Sequence, residues 1–484
     1  MDQILVLAKA QISPVCNVSK CKEVVQTSTQ FIGTALYLKW VCQAGHINFT
    51  WCSQPILNRR LHAGDLAASS AALLSGNNYA KIALFAKIMN LGFVSKSTYY
   101  KIQKHYLVPC IDEYWLSHQH QVLEKYKDKE IVILGDGRMD SPGYCAQYCS
   151  YTVMENESKD ILSIVTMDKR QTEKKSTNLE KACFESSMTQ LQAQGLEIKE
   201  VVTDAHLQIG SLMKRRYPHI KHSHDMWHAA KNLGKKIMKA SQEKQCKPLQ
   251  KWNEHIINHF WYCSKKASSY EEFLGSWCGV LHHVTDEHAW ALPYGQGNNR
   301  CDHGPLSAER VQGREWLKKG DPAHVALRKV VLDKRFLNKV HYYLNFRSTA
   351  ELETFQQNIL MYAAKRNAYS PPVYRARNIL AALDHNVHHN RALSTNKQGD
   401  IIYHRHYNKK SSRWSAFPEK INKTYPHIRD LKKSILEKRL ADRQGMNRQM
   451  DLEPQDPRRI SANLAPIPPP PTASIVQEQT SRKT

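Results

Sequence analysis

The chain has 484 residues, with 69 Lys and Arg against 44 Asp and Glu, a formal net charge of +25 with neutral histidine. Apolar residues make up 41% and charged residues 23%, which excludes a chain disordered throughout, and no apolar run is long enough to cross a bilayer. Twelve cysteines are too sparse for a disulfide scaffold and fit reduced thiols with some metal binding. The start, MDQILVLAKAQ, has neither a basic leader nor a small-residue cleavage site, so secretion is not expected. The positive balance points to an acidic polymer such as nucleic acid, or else to a generally basic solvated surface.

In chain order, residues 1–58 hold Cys16 and Cys21 as Cys-x4-Cys, followed by Cys42 and His46 in a Cys-x-x-Gly-His knuckle. Four such donors in two pairs suit a tetrahedral structural Zn²⁺ in a zinc-ribbon-like module, with Cys52 as an alternative fourth ligand and buried free cysteines as the plainer reading. Residues 59–128 have helical apolar spacing. Within them, 79–106 read as a helix, a Gly-containing turn and a Ser-capped helix bearing Lys96, Lys101, Lys104 and His105. That pattern fits either a DNA-reading helix-turn-helix or an ordinary helical hairpin.

Residues 129–240 alternate strands and helices. EIVILGDG, CAQYCSYTVME and ILSIVTMD read as three strands joined by tight turns, hence antiparallel. A helix over 177–194, the strand IKEVVTDAH, a helix ending at Pro218, the short strand IKHSHD and the basic helix MWHAAKNLGKKIMKAS follow. These later strand–helix–strand steps are crossovers and should be parallel. The fold class expected is α/β, a ribonuclease H-like mixed sheet interrupted by a long helical insertion at 241–345. Cys145 and Cys149 are expected on one face of one strand, as packing. Within the insertion, Cys263, Cys278, Cys301 and His303 form a candidate second zinc site, with His282, His283 and His288 competing. Residues 346–443 resume helical spacing and turn basic. The stretch 401–444 carries 12 Lys and Arg against 4 acidic residues, with Tyr403, Tyr407, Trp414 and Tyr425 interleaved. Lys409, Lys410 and Arg413 there, with Lys235 and Lys236 upstream, are candidate phosphate contacts. Residues 444–484 read as a disordered tail with a polyproline piece near Pro466.

Two aspartates, Asp136 and Asp204, stand at the carboxyl ends of expected strands, where ligands gather in α/β sheets. Mg²⁺ or Mn²⁺ takes a few carboxylates plus substrate phosphates, and two such ions can stabilise an in-line phosphoryl displacement. Strand-end aspartates also cap helices, so either one alone reads equally as a cap. Asp140 and Asp168 compete, the first as a turn residue, the second as a surface ion pair.

The segments GDGRMDSPGYCAQYCSYTVME, EVVTDAH and HSHDMWHAAKNLGKK together resemble the catalytic core of DDE transposases, in particular the Kolobok superfamily and host genes derived from it. The resemblance assigns Asp136 and Asp204 as the first two acidic ligands. It assigns Asp225 and His228 as the downstream Asp-x-x-His, and Glu353, in Leu-Glu-x-Phe after the insertion, as the third acid, with Glu351 as fallback. It departs at Gln356, where the family often has His, and no THAP-type zinc finger precedes the core. The resemblance implies two-metal cleavage and strand transfer on DNA, a nuclear location and a homodimer. The alternatives are a non-catalytic DNA- or chromatin-binding protein and a metal-dependent nuclease without strand transfer.

Overall fold

The computed structural model describes residues 13–142, 145–291, 293, 299–304, 306, 313–409, 411–465 and 467–481. Residues 1–12, on which the expectation about secretion rests, Lys410 and Pro466 therefore lie outside the described residues.

The chain opens with three antiparallel strands, β1 (Val25–Ile32), β2 (Ala35–Cys42) and β3 (Ile47–Cys52). Their core is small: Leu36, Leu38 and Trp40 on the inner face of β2. A two-residue strand pair, β4 (Ile56–Leu57) and β5 (Leu61–His62), leads into helix α1 (Ala63–Leu74). Asp65 on α1 holds the β1–β2 turn by accepting from Thr34 N at 2.8 Å. Helices α2 (Tyr79–Ile88) and α3 (Lys96–Ile102) follow, each capped by the expected residue type: Asn78 accepts from Lys81 N and Ser95 from Thr98 N. A π-helical turn joins α3 to α4 (Val108–Glu124), so the second helix of the hairpin runs on instead of ending. Leu84, Phe85 and Ile88 on α2 stay exposed.

The centre is a five-stranded mixed sheet in the order β10-β9-β6-β7-β8. Its strands are β6 (Glu130–Met139), β7 (Tyr148–Glu155), β8 (Ile161–Asp168), β9 (Glu197–Thr203) and β10 (Lys221–His224). The first three pair antiparallel, and β9 joins β6, and β10 joins β9, in parallel, as hairpin and crossover connections require. Side chains alternate between two cores. Ile131, Ile133 and Val201 pack against α5 (Leu179–Ala193) and α6 (Leu207–Arg216). Leu134, Met154, Ile161 and Val202 pack on the other face against α4, α13 (Ala350–Tyr362) and α14 (Pro371–His388).

Helix α7 (Met226–Ala240) leads into the insertion: α8 (Leu249–Lys266), α9 (Tyr270–Cys278), α10 (Val280–His283), α11 (Pro322–Val331) and α12 (Lys334–Leu337). The insertion has its own aromatic core around Phe260, Phe273 and Trp277, which also takes up Cys263.

Three expectations differ from the structure. Cys145 precedes β7 and is exposed, whereas Cys149 is buried in the sheet. The basic stretch begins as an exposed hairpin, β11 (Tyr403–Asn408) and β12 (Arg413–Pro418), before helix α15 (Pro426–Ala441). The hairpin's aromatic residues, Tyr403, Tyr407, Trp414 and Phe417, are exposed and leave no apolar alternation to mark the strands. Beyond it, Arg448 and Glu453 fold back onto Asp442 and Arg375, and Thr472–Ser481 is helical (α16), so the described part of the tail carries ordered contacts. No helix among the described residues is long and apolar enough to cross a membrane.

Candidate active site

The site is built on sheet register. Leu134 and Val202 are partners across the parallel β6–β9 pair and point into the same core. Two residues further along each strand, alternation sends Asp136 and Asp204 to that same face, side by side. Asp204 lies one residue past the end of β9, where the backbone is released from the ladder.

Glu353 reaches this face from 149 positions further along, and a rigid joint brings it there. Asp225 caps α7: its Oδ2 accepts from His228 N at 2.8 Å, and its Oδ1 accepts from Thr349 N at 2.8 Å, at the start of α13. Met226 N donates to Arg347 O at 3.1 Å. The Arg347 guanidinium donates to Glu200 Oε2 on β9, from Nη2 at 2.8 Å and Nε at 3.1 Å. The segment entering α13 is thus tied to both β9 and α7, and the first turn of α13 presents Glu353. Arg347→Met would leave Glu200, almost wholly buried, without its cation. An expected loss of about 3 kcal/mol follows from orphaning one partner of a buried pair, read by denaturant unfolding. An unchanged midpoint would show that the tie is not needed.

At the centre stands His228. Its Nδ1 lies 2.9 Å from Asp225 Oδ2 and 3.1 Å from Asp204 Oδ1, and its Nε2 lies 3.8 Å from Glu353 Oε1. These bonds to Asp204 and Asp225 push its pKa up to about 10, so the ring is an imidazolium at neutral pH. One N–H cannot serve two oxygens well, and Asp204 Oδ1 is left buried without a good hydrogen bond. Asp204, Asp225 and His228 lie close enough to share one ion.

Glu180, in the first turn of α5, belongs to the same cluster and was not singled out by the sequence reading. It packs over Gly137, where a Cβ would sit 2.6 Å from its Cγ. His206 Nε2 lies 3.9 Å from its Oε2. Burial and the Asp204 charge push the Glu180 pKa up to about 7. Burial, then Asp204 and Glu180, push Asp136 up to about 8. An acidic residue in a first helical turn is ordinary, so the local sequence carries no signal for Glu180. Only the packing does.

Gln356, one turn after Glu353, donates from Nε2 to Asp136 Oδ2. The departure from the expected histidine therefore still contacts the first aspartate. Glu351 faces a different cavity, lined among others by Lys159, His388 and Lys423, and is not part of the cluster. Asp140 is a turn residue accepting from Gln147 N and Tyr148 N. Asp168 is buried, paired with Arg170 and capping the turn that follows β8, not a surface ion pair.

Cys16, Cys21, Cys42 and His46 converge beside the small amino-terminal sheet. Cys21 Sγ lies 3.9 Å from Cys42 Sγ, and His46 Nδ1 lies 3.5 Å from Cys42 Sγ and 3.8 Å from Cys16 Sγ. Tetrahedral Zn²⁺ with sulfur at about 2.3 Å and nitrogen at about 2.0 Å places neighbouring ligands at about 3.5–3.8 Å, so the donor set fits zinc. Cys52 pairs with Tyr37 across β2–β3 and lies outside the set.

Of the candidate phosphate contacts, Lys96, Lys104, Lys235, Lys409 and Arg413 are exposed. Lys101 donates to Asn447 and Lys236 pairs with Asp333, so both are partly occupied within the chain.

No protein-family model matches this chain, and neither does any curated protein. Among solved structures it is similar to the Drosophila P element transposase strand transfer complex, with 11% identity and a TM-score of 0.30, over 66% of this chain and 91% of that one.

Proposed function

We propose that this chain is a DDE-type, Kolobok-like DNA transposase or a protein derived from one, with a ribonuclease H-like core cleaving phosphodiesters with the help of divalent cations. One observation carries the reading: Asp136, Asp204 and Glu353, from three separated segments, gather near the His228 imidazole, with Glu180 beside Asp136 and Asp204, in a chain of net charge +25. Carboxylate ligands, and two carboxyls, Asp136 and Glu180, whose pKa burial and the neighbouring Asp204 charge push up, suit Mg²⁺ or Mn²⁺. Asp136, Asp204 and Glu353 would hold the ions, which when bound offset charge on the phosphate and activate water. Asp225 fixes the His228 ring and its Nδ1 proton, leaving the Nε2 proton directed toward Glu353. In the absence of a cation, His228⁺ offsets the carboxylates itself, a role it would yield on metal binding.

DNA would be held by the exposed Lys96 and Lys101 of α3 and Lys104 just after it, by Lys235 and Lys236 of α7, and by the β11–β12 ribbon with Lys409 and Arg413, Lys410 lying between these two in sequence. A two-stranded ribbon bearing Tyr407 and Trp414, ring centroids 5.3 Å apart, offers both phosphate contacts and a stacking surface. A zinc ribbon at Cys16, Cys21, Cys42 and His46 would brace the amino terminus. A nuclear location and a homodimer on DNA belong to the same reading.

The contact of Gln356 with Asp136 favours a second reading, a non-catalytic DNA-binding protein in which an amide occupies the first aspartate. Mg²⁺-dependent nicking of supercoiled DNA separates the two. Wild type should nick, and Asp136→Ala, Asp204→Ala and Glu353→Ala should not, with zinc content and fold unchanged. No nicking alongside salt-sensitive DNA binding selects the second reading.

A further inference from the structure

The insertion gathers a second set of soft donors, away from the acidic cluster and different from the cysteine set considered from sequence. Cys263 is in the aromatic core, 3.4 Å from His259 Nε2, and Cys278 is buried, so neither joins it. His283, His288, Cys301 and His303 do, each offering one ligand atom within 4.8 Å of the others.

The backbone prepares this meeting. His283 ends α10. His288 and Cys301 face each other across an isolated antiparallel bridge, where Cys301 N donates to His288 O at 2.8 Å and Trp290 N donates to Asn299 O at 2.8 Å. His303 lies two residues on from Cys301. His303 Nε2 is 3.2 Å from His283 Nδ1, and Cys301 Sγ is 3.6 Å from His283 Nδ1. Around a tetrahedral Zn²⁺, bond lengths of about 2.0 and 2.3 Å put nitrogen–nitrogen edges at about 3.3 Å and nitrogen–sulfur edges at about 3.6 Å.

The outer contacts select which ring nitrogens face inward. His288 Nε2 is held by Asp286 Oδ1 at 3.1 Å, leaving Nδ1 buried with no partner. His303 Nδ1 donates to Gly304 O at 2.7 Å, which leaves Nε2 facing His283. Carboxylate and carbonyl partners on the far nitrogen are the usual means of orienting a ligating histidine. His282 turns away, bonded through Nδ1 to Glu287 Oε2 at 2.6 Å and stacked on Trp290.

We propose that His283 Nδ1, His288 Nδ1, Cys301 Sγ and His303 Nε2 form a structural Zn²⁺ site of the His₃Cys type. Four protein donors close the coordination sphere, so the ion joins His288, Cys301 and His303 to the end of α10 and catalyses nothing. The site stands independently of the reading of the acidic cluster.

The test is zinc content of the full chain by mass spectrometry, with Co²⁺ substitution. Two zinc per chain are expected in wild type. Cys301→Ser should lose one, whereas Cys301→His, which keeps a donor, and Cys278→Ser, outside the set, should keep both. In a Cys16→Ser/Cys42→Ser background, bound Co²⁺ should show tetrahedral bands with the charge transfer of a single thiolate. That spectrum decides the matter if Cys301→Ser fails to fold. Chelation should also open Arg300 to trypsin. One zinc per chain, kept by Cys301→Ser and lost in the amino-terminal variant, would overturn the proposal, as would a Co²⁺ spectrum without tetrahedral bands.

Discussion

Asp136→Asn is expected to stabilise the cation-free protein while abolishing its response to Mg²⁺ and lowering DNA cleavage by at least about 10³-fold, the scale of losing a group that stabilises transition-state charge. The Asp136 pKa stands at about 8 against an ordinary 3.8, because the carboxyl is buried beside Asp204 and Glu180. The folded state therefore holds a proton that the unfolded chain releases. Below about pH 4 both states are protonated and the group contributes nothing. As pH rises from there to about 8 the folded state is progressively penalised. An amide avoids the penalty, for an expected gain of about 3 kcal/mol at pH 7 after allowing for coupling among the carboxylates. A divalent cation relieves the same repulsion, so Mg²⁺ should raise the wild-type melting temperature more at pH 8 than at pH 5.5. The Asn variant should show little of either effect. Calorimetry at the two pH values with and without Mg²⁺ reads both. A variant less stable than wild type at pH 8, or one that keeps the full Mg²⁺ response, would remove Asp136 from the proposed cation site.

Cys42→Ser should release zinc and melt the amino-terminal sheet while leaving the five-stranded sheet intact. The module's core is Leu36, Leu38 and Trp40, too few apolar side chains to offset the ordering of some forty residues. Zinc binding at the proposed site, with an apparent free energy of about 10–16 kcal/mol in zinc-finger peptides, would supply what the core lacks. The central sheet draws on separate and larger cores, one on each face, and does not depend on the ion. Trypsin reports the difference through Lys39, in the middle of β2 and half-buried. Wild type with zinc should resist cleavage there, and the variant or a chelated sample should be cut. Protection that survives the loss of zinc would show that the sheet holds itself.

The central strands were legible because their information is local. Apolar runs bounded by Gly-Asp-Gly or Asn-Glu-Ser mark β6, β7 and β8, and hairpin or crossover lengths set their directions. Asp204 could be placed one residue past β9 for the same reason, whereas β6 runs on to Met139 and leaves Asp136 within the strand, opposite Thr152 of β7. The amino-terminal Cys-x4-Cys and Cys-x3-His pairs bring two donors together each, and the fold had only to join two knuckles. The β11–β12 ribbon was misread because it is exposed on both faces and has no apolar alternation. Cys145 was misplaced by three residues at a strand boundary, where no hydrogen-bond pattern can be seen in sequence.

By itself, the sequence determined the order along the chain and the direction of the central strands, the strand-borne Asp136 and the Asp204 that follows β9, the basic charge and the amino-terminal donor pairs. Each of these depends on neighbours a few residues away. The tertiary structure decided what depends on long-range packing. It put Glu180 over Gly137, wedged His228 between Asp204 and Glu353, and joined Arg347 to Glu200 across the return from the insertion. It also selected His283 and His288 over Cys263 and Cys278 as partners of Cys301. A side chain's reach is a few ångströms, and which groups fall within it after a hundred residues of intervening helices is set by how those helices pack, not by spacing along the chain.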